Sequence, residues 1–252
     1  MKLHHVVEGP PDAQALVLSP SLGTTYAMWD PQASPLAERF RVVRYDRRGH
    51  GRSPVATGPT TIAALGADVV ELLDDLGLER VSFCGLSIGG MVGMWLAGNV
   101  PERVDRLVLC CTAPSLPPSQ QWVDRAAVVR ADGVAAIAEA TLGRWFRPSF
   151  HDEHPDVVAR FRAMLVSTPA EGYAACCDAL ASVDLTPSLA AIAAPTLVVS
   201  GSDDVVAPPD SGAALAAAIP GARQVVVRDA AHIANVEQPR AFTEAVIEHL
   251  TG

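Results

Sequence analysis

Short apolar strings alternate along most of this chain with longer stretches in which apolar residues recur every three or four positions. No other feature constrains the fold as strongly, because such alternation builds βαβ crossovers. Ala15 to Leu18, Val42 to Tyr45, Val81 to Cys84, Leu107 to Cys110, Thr196 to Ser200 and Gln224 to Val227 read as strands. Most lack in–out polar alternation, which predicts burial on both faces of a mostly parallel sheet. Between them, Ile62, Leu65, Val69, Leu72, Leu73 and Leu76 form one stripe opposite Asp68, Glu71 and Asp75, with Gly77 as the stop. Ile88, Met91, Val92, Trp95 and Leu96 repeat the pattern directly after a strand, and Pro239, Phe242, Val246 and Leu250 outline a closing helix with proline in its first turn. The predicted class is α/β, a mostly parallel central sheet flanked by helices. At 252 residues and 49% hydrophobic composition, one domain of this class with a large core is expected.

One region breaks the alternation. From 117 to 184 no strand is legible, and stripes such as Val157, Phe161, Met164 and Leu165 predict a helical insertion. Turn chemistry bounds it, with Pro114-Ser115-Leu116-Pro117-Pro118 before and Thr186-Pro187 after. The expected organisation is a core of residues 1–116 and 185–252 with a helical lid at 117–184. An insertion between two strands would cover their C-terminal ends, where ligands bind in open α/β sheets.

Charge narrows the partners. Nineteen basic against 28 acidic side chains give a net charge of −9 with no Lys/Arg-rich run, which argues against a nucleic-acid backbone or an anionic membrane surface and for a small-molecule ligand. No apolar run approaches the ~18 residues of a membrane span, and the opening residues lack a secretory signal, so a cytoplasmic location is expected. The five cysteines, in part adjacent pairs, lack metal-ligand spacing and suit reduced, buried thiols; no metal is expected. A homo-oligomer is allowed.

The chemistry centres on Gly85-Leu86-Ser87-Ile88-Gly89-Gly90, placed between the strand ending at Cys84 and the following helix. Strand, tight turn and helix in direct succession lift a serine hydroxyl off the sheet, with small neighbours permitting close backbone approach. An ordinary glycine-rich turn is the plain alternative, but the flanking elements favour an exposed nucleophile at Ser87. The stretch lacks G-x-G-x-x-G spacing, which argues against a dinucleotide site. Serine needs a base, itself oriented by an acid. His4, His5, His151, His154 and His249 read as solvated. His50, in Asp46-Arg47-Arg48-Gly49-His50-Gly51, is a rival, whereas His232 follows the last strand with small residues before it and completes the order serine, acid, histidine. The acid lies in Gly201-Ser202-Asp203-Asp204, and position alone does not choose between the aspartates. An oxyanion needs two donors: the Ile88 N–H is one, and an N–H near Leu22, in Ser19-Pro20-Ser21-Leu22-Gly23, is the second candidate.

Elbow, late acid, terminal histidine and intervening lid together resemble the α/β-hydrolase superfamily over essentially the whole chain. That resemblance selects Asp204 over Asp203 and matches Leu22 to the second oxyanion donor. A narrower resemblance is to the 3-oxoadipate enol-lactonases of aromatic catabolism by the β-ketoadipate pathway. It is carried by Ser21-Leu22-Gly23-Thr24, Met28-Trp29-Asp30, Asp46-Arg47-Arg48-Gly49-His50-Gly51, Gly143-Arg144-Trp145-Phe146 and Gly172-Tyr173-Ala174-Ala175-Cys176-Cys177. It implies hydrolysis of a lactone through an acyl-enzyme, without a cofactor. The substrate's carboxylate then requires a cation, for which Arg144 is the candidate, and Trp122 and Trp145 are candidate pocket walls. Competing expectations are a general serine esterase or cofactor-free perhydrolase of this fold, and a small-ligand receptor that kept the fold without turnover.

Overall fold

The computed structural model describes all 252 residues. Seven strands form one sheet in the order β1-β3-β2-β4-β5-β6-β7: β1 (His5–Glu8), β2 (Ala15–Ser19), β3 (Arg41–Tyr45), β4 (Val81–Leu86), β5 (Val104–Cys110), β6 (Thr196–Gly201) and β7 (Arg223–Val227). Every pairing is parallel except β1 against β3. β2, β4 and β6 are buried at every position, as their unbroken apolar strings require. β1 escapes the sequence pattern because it is an edge strand: His5-Val6-Val7-Glu8 is buried on neither face, so it carries no continuous apolar string.

Helices α1 (Asp30–Ala37), α2 (Ile62–Asp75), α3 (Ile88–Asn99), α9 (Pro209–Ala218), α10 (Ala234–Glu237) and α11 (Pro239–Thr251) accompany the sheet. α2 starts where Thr61 Oγ1 accepts the Ala64 N–H at 3.0 Å, satisfying one orphan donor of the first turn. α3 departs from the amphipathic pattern expected: nine of its twelve residues are buried. It is the central crossover, covered by its neighbours, and a helix covered all round has no polar face to display.

Between β5 and β6 the chain is helical, with α4 (Gln120–Asp132), α5 (Ala138–Trp145), α6 (Pro148–Glu153), α7 (Pro155–Val166) and α8 (Ala170–Ser182). Apolar side chains of this segment, among them Val129, Leu142, Phe161 and Tyr173, join the core that runs from the sheet. Its outer face is charged: Arg130 of α4 pairs with Glu171 at 2.9 Å and Asp178 at 2.6 Å on α8. The five cysteines are buried and free. No helix is long and apolar enough to cross a membrane.

Candidate active site

β4 ends at Leu86 and α3 begins at Ile88, so Ser87 alone makes the turn between them. It does so at φ 59° and ψ −123°. A side-chain-bearing residue pays of order ~1–3 kcal/mol for such a conformation, which persists only where the surroundings over-determine it. Here the Ser87 N–H donates to the Cys110 carbonyl at 2.9 Å and Thr112 Oγ1 donates to the Ser87 carbonyl at 2.7 Å. The flanking glycines are obligatory: a Cβ on Gly85 would strike the Gly89 carbonyl, and one on Gly89 the Ser19 carbonyl.

His232 lies in the loop after β7 and is buried, with Nδ1 2.9 Å from Asp204 Oδ2. The carboxylate accepts from Nδ1–H, which leaves Nε2 unprotonated as the basic nitrogen. The other oxygen, Oδ1, accepts the N–H groups of Val206 at 2.7 Å and Ala207 at 3.1 Å. Asp203 is exposed and takes only the Ser202 hydroxyl at 2.8 Å. Consecutive residues after a strand point apart, and Asp204 is the one directed at the imidazole. Ser87 and His232 line the same cavity of about 200 Å³, without a hydrogen bond between Oγ and Nε2. Such bonds are commonly long in free enzymes and tighten on substrate binding.

Two backbone donors border the serine. Leu22 and Ile88 are buried, and neither N–H donates to any protein group. Leu22 lines the same cavity as Ser87, and Ile88 is the next residue in the chain, so both N–H groups are left free for a ligand at this turn. The next donor in the loop, Gly23 N–H, is already committed to His50 Nε2 at 3.1 Å, with Nδ1 of the same ring at the Arg48 carbonyl, 3.1 Å away. Burial, and then the neighbouring Arg47 charge, lower the His50 pKa to about 3, so the ring stays neutral and can accept. The rival histidine is thus a loop support that faces no nucleophile.

Arg144, Trp122 and Trp145 all line the cavity. Arg144 bonds only the Ala140 carbonyl, Nε to O 3.2 Å, and meets no carboxylate. The Trp122 indole N–H donates to the Leu116 carbonyl at 3.1 Å, and Trp145 packs edge-on against Phe161 at 6.2 Å. A second half-buried guanidinium, Arg125, also reaches the cavity; it donates to Tyr173 Oη at 3.1 Å, lies over the Trp122 ring and likewise has no acidic partner. Nothing in the sequence around Arg125 distinguishes it from a solvated helix arginine, so sequence reading overlooks it.

Glu237 was also invisible to pattern. Its side chain is fully buried in the short α10, where Oε1 accepts the Arg147 N–H at 3.0 Å and Oε2 the Ala231 N–H. Burial raises its pKa against these bonds. It fixes the residue before His232, while the Ile233 N–H after it donates to the Trp145 carbonyl at 3.0 Å. The expectation of solvated histidines holds fully for His154, in part for the half-buried His4, His5 and His151, and fails for His249. His4 Nδ1 sits 3.0 Å from Asp46 Oδ2, His151 reaches the Leu142 carbonyl at 3.3 Å, His5 folds onto the Leu3 carbonyl at 3.1 Å, and His249 is buried on the inner face of α11 against the Pro195 carbonyl at 3.2 Å. Charge near a terminus or a polar stretch says little about where a partly apolar imidazole packs.

Serine on a strained strand-to-helix turn, a histidine–aspartate pair from later loops, and a parallel sheet with a helical insertion together define a class. The α/β-hydrolase-fold family model matches residues 14–239, and the chain belongs to that family. It is 41% identical over 244 residues to 3-oxoadipate enol-lactonase 2 of Acinetobacter baylyi, covering 97% of this chain and 91% of the relative. Among solved structures it resembles the enol-lactonase from Burkholderia xenovorans, with a TM-score of 0.97, 44% identity and coverage of 99% and 96% of the two chains. A thermophilic esterase from Thermogutta terrifontis, solved with malate bound, matches with a TM-score of 0.93 and 34% identity over 98% of this chain and 92% of that one.

Proposed function

We propose that this α/β hydrolase opens 3-oxoadipate enol-lactone to 3-oxoadipate through a Ser87–His232–Asp204 triad and an acyl-enzyme. The observation that carries the reading is one cavity lined at the same time by Ser87, by His232 and by two arginines without acidic partners. A base and a nucleophile alone would suit any ester. Two uncompensated guanidinium groups suit a substrate that brings its own carboxylate, since charge-assisted bonds to a planar fork are among the strongest available. The similarity to the enol-lactonases of Acinetobacter and Burkholderia supports the same substrate, and a related esterase is known with a dicarboxylate, malate, bound.

In this scheme His232 Nε2 takes the Ser87 proton as Oγ attacks the lactone carbonyl, while Asp204 stabilises the imidazolium. The N–H groups of Leu22 and Ile88 hold the oxyanion, which α3 favours further by directing its N-terminus at it. Collapse breaks the ring C–O bond, and the enol oxygen receives the proton from His232; the enol then tautomerises to the ketone. His232 next deprotonates water, which attacks the acyl carbon and returns Ser87 with its proton. Arg144 and Arg125 bind the substrate carboxylate, Trp122 and Trp145 wall the pocket, and the helices of 117–184 serve as lid.

The test is steady-state turnover of the purified protein on 3-oxoadipate enol-lactone beside p-nitrophenyl acetate. The lactone should be preferred by at least roughly 10³-fold in kcat/KM, the scale set by a satisfied polar anchor that an uncharged ester leaves empty. Equal or inverted preference would make the protein a general esterase.

A further inference from the structure

Arg47 follows β3, directly behind the loop that presents Leu22, and is among the largest fully buried side chains, at 1% exposure. It has no acidic partner. Asp46, its neighbour in sequence, is spent on His4 and on the N–H groups of Tyr26 at 2.8 Å and Arg52 at 2.9 Å, and Asp68 is held by Arg48 at 2.5 Å. Nε of Arg47 bonds nothing, while Nη1 donates to the Ser21 carbonyl at 3.2 Å and Nη2 to the Pro20 carbonyl.

A guanidinium stays charged in a protein, and burying one without a counter-ion is unfavourable. Neutral donors could bond two carbonyls, so a full charge at this place calls for another use. The peptide joining Ser21 to Leu22 supplies it. A trans peptide directs its C=O and N–H oppositely. The Ser21 oxygen is held by Thr24, through Oγ1 at 2.8 Å and its N–H at 3.3 Å, together with Arg47, and this aims the Leu22 N–H the opposite way, on the side where Ser21, Leu22 and Ser87 border the cavity; of these donors only Arg47 brings a charge. Donation to the carbonyl also polarises the amide and strengthens its N–H as a donor. Because the surroundings are dry, a cation behind the loop favours negative charge in front of it more than water would allow. His50 completes the arrangement: it withdraws the Gly23 N–H and leaves Leu22 as the donor this turn directs at the oxyanion.

We propose that Arg47 is a positioning residue for the oxyanion hole, its buried charge orienting and polarising the Ser21–Leu22 peptide so that the Leu22 N–H stabilises the transition state. The proposal rests on Leu22 as an oxyanion donor, as read above. It predicts a loss confined to the tetrahedral state, whereas a merely structural arginine would affect ground-state binding and folding alike.

The experiment compares Arg47→Met, Arg47→Lys and Ser87→Ala with the wild type. It measures kcat and KM on the enol-lactone and on p-nitrophenyl acetate, thermal midpoint, and inhibition by phenylboronic acid, which adds to Ser87 as a tetrahedral anion, and by adipate, which does not. Arg47→Met should lower kcat about 100-fold on both substrates, the scale of one lost oxyanion donor, with KM and adipate inhibition changed less than about threefold. Phenylboronic acid should weaken by a similar factor, and Arg47→Lys, which keeps the charge, should recover at least about tenfold of the kcat. Should Arg47→Met not fold, Arg47→Gln is read by the same criteria. A folded neutral variant with kcat within about threefold of wild type overturns the proposal, as does equal weakening of boronate and adipate, or a lysine variant no faster than the methionine one. If Ser87→Ala itself stays active, the underlying reading fails instead, so the two failures are distinguishable.

Discussion

The two walls of the cavity hold their polar groups in different ways. On the sheet side, Asp204 is fixed by two backbone N–H groups as well as by His232, and the His232 loop is tied on one flank to Glu237 and on the other to the Trp145 carbonyl. On the helical side, Arg144 and Arg125 each rest on a single hydrogen bond, to the Ala140 carbonyl and to the Tyr173 hydroxyl. Bond-making groups must be held within fractions of an ångström, and redundant backbone bonds on strand ends do that. A long side chain with one tether keeps donors free for a ligand. Under the proposed function, this contrast corresponds to reaction geometry on the sheet and substrate choice on the helices of 117–184.

Removing the proposed nucleophile strains this division hardest. Ser87→Ala should lower kcat by roughly 10⁴-fold or more while the thermal midpoint stays within a few degrees. Activity kept within tenfold would take the chemistry off the sheet side. Next comes the proposed acid: Asp204→Asn should cost about 10³–10⁴ in kcat by spoiling the imidazole tautomer, against less than about threefold for the exposed Asp203→Asn. The reverse ranking would refute the geometry of the loop after β6.

Across the cavity the signature should change from kcat to KM. Arg144→Ala and Arg125→Ala should each raise KM for the enol-lactone about 10- to 100-fold, the worth of one charged hydrogen bond, and leave p-nitrophenyl acetate nearly unaffected. Equal effects on both substrates would show these arginines to be packing.

His50 provides a smaller, purely thermodynamic check on the rigid wall. Its pKa is lowered from 6.5 to about 3 on folding, chiefly by burial, so below pH 6.5 the unfolded chain binds a proton that the folded one refuses. Stability is lost as pH falls through 6.5 toward 3, and His50→Gln, which keeps an acceptor for the Gly23 N–H, should lose about 2 kcal/mol less than wild type between pH 7 and pH 5 in urea unfolding. Identical pH slopes would sink the neutral-imidazole account. Smallest of all, Arg130→Ala on the exposed α4–α8 face should cost at most ~1 kcal/mol and nothing in kcat, since water and salt screen its pairs with Glu171 and Asp178.

Much of this is legible in the amino-acid order. The buried strands announce themselves because burial on both faces demands unbroken apolar strings, and the elbow because Gly85, Ser87 and Gly89 sit between a strand and a helix. β1 stayed hidden at the exposed edge, and α3 passed for amphipathic because its intervening glycines and alanine are as buried as its large residues. Arg125, Glu237 and the role of His50 left no local trace, for each acts on a partner from another loop or helix.

The amino-acid order by itself determined what short-range physics can encode: the alternating elements, the strained serine turn, the sequence in which nucleophile, acid and base arrive, and the excess of acidic charge. Only the tertiary structure decided that Asp204 faces the imidazole, that the N–H groups of Leu22 and Ile88 are left unbonded, and that two unpaired guanidinium groups share a cavity with the serine. Those relations depend on which strands lie side by side and where each loop runs after leaving the sheet, and both are settled by burying the whole core at once rather than by any local run of residues.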